Sequence, residues 1–205
     1  MRMSPNSETP VRIARHQLGS ALSLFLRDKD PVAIQSLACG GCEIIERVAH
    51  KEDVTPISTL IWDKSPRFDV QLLRKERNVY WNAIKHFTRK DRNDPSRDDE
   101  AVMATFSDQA NLIPLFLGWW DYLAVTRRLP IEAQVFQAWW YGIREGAMRH
   151  DDKEDAVRTL FPGILDQDSA EQKRRLNRAI EKHRRNKEIM EDPATEPGPL
   201  MPNRW

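Results

Sequence analysis

Between Arg77 and Asp91 the chain sets chemistry-bearing side chains at helical spacing. Asn78, Asn82 and His86 fall at i, i+4 and i+8, so a helix stacks two amides and an imidazole in one row, with Lys85 and Arg89 beside it. Histidine titrates near neutral pH, which would let His86 act as general base or acid on a ribose 2′-hydroxyl while Arg77, Lys85 or Arg89 steadies a phosphate. The same row would also serve as a binding site for a nucleotide or RNA. As a third reading, Asn78, Asn82 and His86 form a hydrogen-bonded seam between helices, since buried polar side chains are normally paired.

A second concentration of cations lies at 169–187. Eight basic residues there face two acids, Glu171 and Glu181, a local excess of six. Arg174, Arg178, Lys182 and Arg185 follow one another at four, four and three residues, a helical row able to reach successive phosphates. The competing reading is a hydrated surface helix that binds nothing. The chain as a whole has 32 basic and 31 acidic side chains, so attraction to nucleic acid has to come from such clustering and not from net charge.

Cys39 and Cys42 enclose Gly40 and Gly41, a spacing that suits a redox pair or half of a zinc site. No other cysteine is present to complete a zinc site, and the motif lies inside an apolar helical pattern and not at a strand-to-helix turn. The reading adopted is that small residues let two helices approach closely. No metal and no cofactor are expected.

The elements that would position these residues are helical. Val11, Leu18, Ala21, Leu22 and Phe25 mark a first helix, ended by Asp28-Lys29-Asp30-Pro31; Asp30 caps a second helix starting at Pro31 and running to about His50. The two should form an antiparallel hairpin. Lys51 to Pro66 reads as an irregular connection held by Ile57, Leu60, Ile61 and Trp62. A third helix from about Phe68 to Lys90 is expected to bury Val70, Leu73, Tyr80, Trp81, Ile84 and Phe87. The charged stretch Arg89–Glu100 reads as a solvated loop, and Val102–Phe106 as briefly extended. Ser107 and Asp108 then cap a fourth, centrally placed apolar helix, and Pro130 opens a fifth. Trp119-Trp120 and Trp139-Trp140 are read as core or interface packing in preference to a ligand cage. The globular part is expected to span 1–165, followed at 166–205 by a loosely docked basic helix and a disordered tail with four prolines.

Five helices with an Asn-x-x-x-His sequence late in the third resemble the HEPN (higher eukaryote and prokaryote nucleotide-binding) superfamily of helical bundles, over roughly Val11 to Ile143. Arg15-His16-Gln17-Leu18, Asp30-Pro31-Val32-Ala33-Ile34 and Asn82-Ala83-Ile84-Lys85-His86 with Asp91 are also similar to a group of bacterial hypothetical proteins. The aromatic surface of the fourth and fifth helices, together with the pairing of active sites across a dimer that the HEPN resemblance implies, leads to the expectation of a homodimer with the third helix or the Trp139–Trp140 helix near the two-fold axis. The resemblance further implies a nucleotide, RNA or protein partner in a bacterial defence or toxin-antitoxin setting. In the HEPN ribonucleases an arginine, a polar residue and a histidine cleave RNA without metal; Asn82 and His86 match the last two. Trp81 stands where the arginine would be, so binding is the first expectation and metal-independent cleavage using His86 the alternative. The short polar start, Met1–Pro10, has no apolar core like that of a secretory signal, and the apolar run Leu112–Trp120 is too short for a membrane span; a cytoplasmic protein with no membrane partner is expected.

Overall fold

A computed structural model describes residues 4–57, 70–87, 98–144 and 152–201. Two long helices come first, α1 (Pro5–Leu26) and α2 (Pro31–Lys51). The turn between them follows from its residues: Asp28 takes a left-handed φ of 51°, and the Asp30 carboxylate accepts from the Val32 N–H at 2.9 Å, capping α2 at Pro31. At the open end of this antiparallel hairpin, the Ser4 and Ser7 hydroxyls donate to Glu52 at 2.6 and 2.5 Å. Those hydrogen bonds, Ser4 first, hold the Glu52 carboxyl below its ordinary pKa.

The buried stripe of α1, including Ala14, Leu18, Leu22 and Phe25, packs along that of α2, including Ile34, Ala38, Cys42 and Ile45. Close approach is possible because Gly41 has no side chain: a Cβ there would lie 2.8 Å from Leu18 Cγ and 3.3 Å from the Ala14 carbonyl oxygen. Cys39 and Cys42 are free and buried in this seam.

The chain continues with α3 (Val70–His86), α4 (Asp99–Ala104), a 3-10 turn at Asp108–Asn111 and α5 (Leu112–Thr126). Ile57 is buried and donates its N–H to the buried Asp121 carboxylate of α5 at 2.7 Å, whereas Leu60, Ile61 and Trp62 lie outside the described residues. α5 is buried on nearly every face from Leu112 to Tyr122, as its composition requires. Its Gly118 admits Leu18, since a Cβ at Gly118 would stand 2.5 Å from Leu18 Cδ2.

Three local expectations are corrected here. Val102–Phe106 is not extended, because Asp98 caps α4 by accepting from the Ala101 N–H at 3.1 Å and so recruits Asp99–Ala104 into a helix. Ser107 makes no side-chain cap before the turn that leads into α5. Among the residues of α3 whose side chains are described, Arg77 and Ala83 are buried and Tyr80, Trp81 and Ile84 half-buried, while Phe87 follows the helix and is exposed; the side chains of Val70 and Leu73 lie outside the described residues. Phe87 has φ 22°, and α3 ends four residues short of the expected Lys90.

Two compact units divide at Val125 and Thr126. The second contains α6 (Ile131–Gly142), α7 (Asp152–Leu160), α8 (Ser169–Arg184) and α9 (Lys187–Glu191). α8, expected to dock loosely, buries Leu176, Ala179 and Ile180 against α6; Trp139 Nε1 of α6 donates to the Gln172 carbonyl at 3.1 Å, and Arg184 pairs with the buried Glu132. The tail expected to be disordered is ordered to residue 201. A bridge joins Leu129 to Thr195, Gln134 Nε2 donates to Thr195 Oγ1 at 2.9 Å, and Leu200 is buried. Trp139 and Trp140 are both buried.

The all-α class therefore holds. Among the described residues there are nine α-helices in place of five and a basic sixth, and none is long and apolar enough to cross a membrane.

Candidate functional site

α3 keeps the expected row but separates it from its arginine. Asn82 and His86 are exposed and Asn78 is half-buried, all on the outer side of the helix. Arg77 lies nine residues before His86, half a turn away around the helix, and points inward. Its guanidinium donates through Nη1 to Cys42 Sγ at 3.1 Å and Glu46 Oε2 at 3.2 Å, and through Nε to Asn78 Oδ1 at 3.0 Å. Burial works against the charged guanidinium, but the charge of its partners more than offsets it and raises the Arg77 pKa. Trp81 Nε1 donates to Glu43 at 2.7 Å, and Lys85 lies 5.3 Å above the Trp81 ring and 4.0 Å from Glu43. Arg77, Trp81 and Lys85 are thus engaged along the α2–α3 seam and do not converge on His86. Arg89 lies outside the described residues.

The two cysteines beside Arg77 are unsuited to nucleophilic work. Burial pushes Cys39 well above its ordinary value and Cys42 from 9.0 up to about 12, despite the opposing charge of Arg77. Because Cys42 keeps its proton at neutral pH, the countercharge of Arg77 there is Glu46. The folded-state value is raised, so the unfolded chain releases the Cys42 proton first. This contribution to stability is whole below pH 9.0 and declines as pH rises toward about 12. At pH about 8 neither thiol should react with an aromatic disulfide reagent until the chain is unfolded, when both should titrate. Equal rates in native and denaturing buffer would refute the buried assignment. Among the described residues no group of three or more His, Cys, Asp and Glu side chains is placed to hold a metal ion.

The other expected residues do come together. Arg174, Arg178 and Lys182 are exposed on α8 and Arg185 directly after its last residue; the opposite side of the helix is anchored by Leu176, Ala179 and Ile180. The Asp168 carboxylate caps the helix, accepting from the Glu171 N–H at 2.8 Å. Gln172 Nε2 donates to the carbonyls of Ile164 and Gln167, and Arg175 Nη1 to that of Pro162 at 2.7 Å, so the preceding loop is sewn to the helix. Gly163 turns that loop with φ 60°. The result is a surface groove of about 550 Å3 with Arg175, Arg178 and Lys182 on one wall and Leu160, Phe161 and Pro162 on the other.

Glu171 was read only as one of two acids, yet three arginines close on it. Arg174 Nε is 2.9 Å, Arg175 Nε 3.1 Å and Arg178 Nη2 2.7 Å from its oxygens. Hydrogen bonds from Arg175 and Arg178, with the charges of Arg178 and Arg174, hold its carboxyl below the ordinary value. Arg175 is the residue the row omitted, although its spacing of four from Glu171 was visible.

No family model, curated protein or solved structure matches the chain.

Proposed function

We propose that the chain is a helical RNA-binding protein, HEPN-like in its first unit, that contacts phosphates through the basic face of α8. The observation supporting this reading is the exposed row Arg174, Arg178, Lys182 and Arg185 on a helix whose other side is fixed by buried contacts. A row held on a packed helix loses no backbone freedom on binding, which a cationic tail would lose. Among the described residues Lys182 and Arg185 have no ion-pair partner, so both are available to phosphate. Cleavage by His86 is the weaker reading, because Arg77 is committed to Cys42 and Glu46 on the far side of α3.

Phosphate contacts release counterions, so affinity should fall steeply with salt, with a log–log slope of roughly −0.7 per contact on a single strand. Fluorescence anisotropy with a labelled RNA across a salt series tests this. The double variant Lys182→Gln/Arg185→Gln should weaken binding and lower the slope magnitude by about 1.4. Binding whose slope is unchanged in that variant would place the interface elsewhere, and no binding even at low salt would end the RNA reading.

A further inference from the structure

We propose that Glu171 occupies the phosphate seat of the α8 interface, and that the external ligand of this seat is a phosphate of single-stranded RNA, which must displace the carboxylate to bind. The inference rests on the RNA-binding reading above and specifies how that site is filled.

Three guanidinium groups, three, four and seven residues after Glu171 on one helix, meet its carboxylate at 2.7–3.1 Å. Guanidinium forks are built to match carboxylate and phosphate oxygens, so a site that binds one geometry is already arranged for the other. The seat is open to solvent: the side chains of Arg174 and Arg178 are each 68% exposed, that of Glu171 23%. A phosphate can therefore approach the arginines from outside while the carboxylate swings away on its own flexible stem. The exchange is one anion for another, so the cluster keeps its charge balance; what the wild type loses is the effective concentration of an acid tethered beside the site.

The groove argues for a single strand. Arg175 and Arg178 belong both to the cluster and to the groove wall, and Lys182 lies one turn further, about 6 Å along α8. The facing wall is apolar, with Pro162 exposed and Leu160 half-buried, and so offers a surface for the flat face of a base next to the cations that hold its phosphate. Unpaired bases can be splayed into such a groove; the bases of a duplex are stacked and paired and cannot.

Glu171→Gln tests the inference by removing the competing charge while keeping size and helix-start compatibility, since Gln is as acceptable as Glu at this position. Anisotropy is measured with a single-stranded oligouridine, a duplex RNA of equal length and a polyglutamate peptide. The variant should bind oligouridine on the order of tenfold more tightly than wild type, with a slope steeper by about 0.7 for each arginine released. Adding Arg178→Gln to Glu171→Gln should reverse most of the gain. Equal oligouridine affinity and slope in wild type and Glu171→Gln would overturn this inference while leaving wild-type RNA binding intact. A larger gain for duplex would overturn its single-strand part, and a gain confined to polyglutamate would make the occupant an acidic protein segment. Absence of RNA binding in both proteins would defeat the functional reading and this inference together.

Discussion

Replacing Gly41 with valine is expected to destabilise the first unit by about 3 kcal/mol, at the upper end of overpacking costs, and to lower the melting temperature by roughly 10 °C. The new Cβ would fall 2.8 Å from Leu18 Cγ, 3.1 Å from Leu18 Cδ2 and 3.3 Å from the Ala14 carbonyl oxygen. Leu18 has little room to yield, because it is fully buried and its Cδ2 methyl already fills the space left by Gly118. The adjacent position gives the control. A Cβ on Gly40 would meet Gln17 Oε1 at 2.9 Å, the far end of a flexible side chain that can rotate aside. Gly40→Ala should therefore be near neutral, since relief of the helical glycine, worth up to about 1 kcal/mol, offsets the adjustment. Thermal unfolding followed by far-ultraviolet circular dichroism separates the two. If Gly41→Val melts within a degree or so of Gly40→Ala, the close approach of α1 and α2 at Leu18 is wrong.

Arg77→Met should cost on the order of 3 kcal/mol, for an electrostatic reason and not a steric one. Arg77 is 7% exposed and faces Glu46, whose side chain is 13% exposed. Removing the guanidinium takes a countercharge away from a largely desolvated carboxylate, and breaking such a pair is more damaging than replacing both members. The double variant Arg77→Met/Glu46→Met should accordingly recover most of the loss, giving a coupling energy of about 2 kcal/mol in a urea-unfolding cycle. Additive effects would mean that the pair is not coupled. The same variants distinguish Arg77 from a ligand-binding group: RNA affinity per folded molecule should be unchanged in Arg77→Met, whereas a role beside His86 would lower it.

Local signals in the chain were sufficient for the hairpin. Asp30-Pro31 is a cap and a first helical residue whatever surrounds it, and Cys39-Gly40-Gly41-Cys42 reads as a close-approach site because nothing else explains two glycines inside a helix. The α3 face was misjudged because hydropathy places arginine outside; Arg77 is inside because Glu46 on α2 supplies its countercharge, and that pairing spans 31 residues. The row of Asn78, Asn82 and His86 was legible as a row, but spacing along one helix says nothing about which side its neighbours cover. In the second unit the four prolines near the C-terminus suggested disorder. Thr195, between the first two of them, is held by Leu129 and Gln134, and a partner some 60 residues away in sequence leaves no trace in local composition. Asp98 could have been read as a cap, since Asp-Asp-Glu at 98–100 has the acidic first turn of a helix.

The fit of Leu18 between Gly41 and Gly118 has a consequence in time as well as in space. All of the hairpin is synthesised once Lys51 has been added, whereas Gly118 arrives about 70 residues later. At about 5–20 residues per second, α1 and α2 wait roughly 3–14 s for the helix that covers Leu18 and Cys42. During elongation the growing chain therefore carries this part of the apolar surface before the helix that covers it exists.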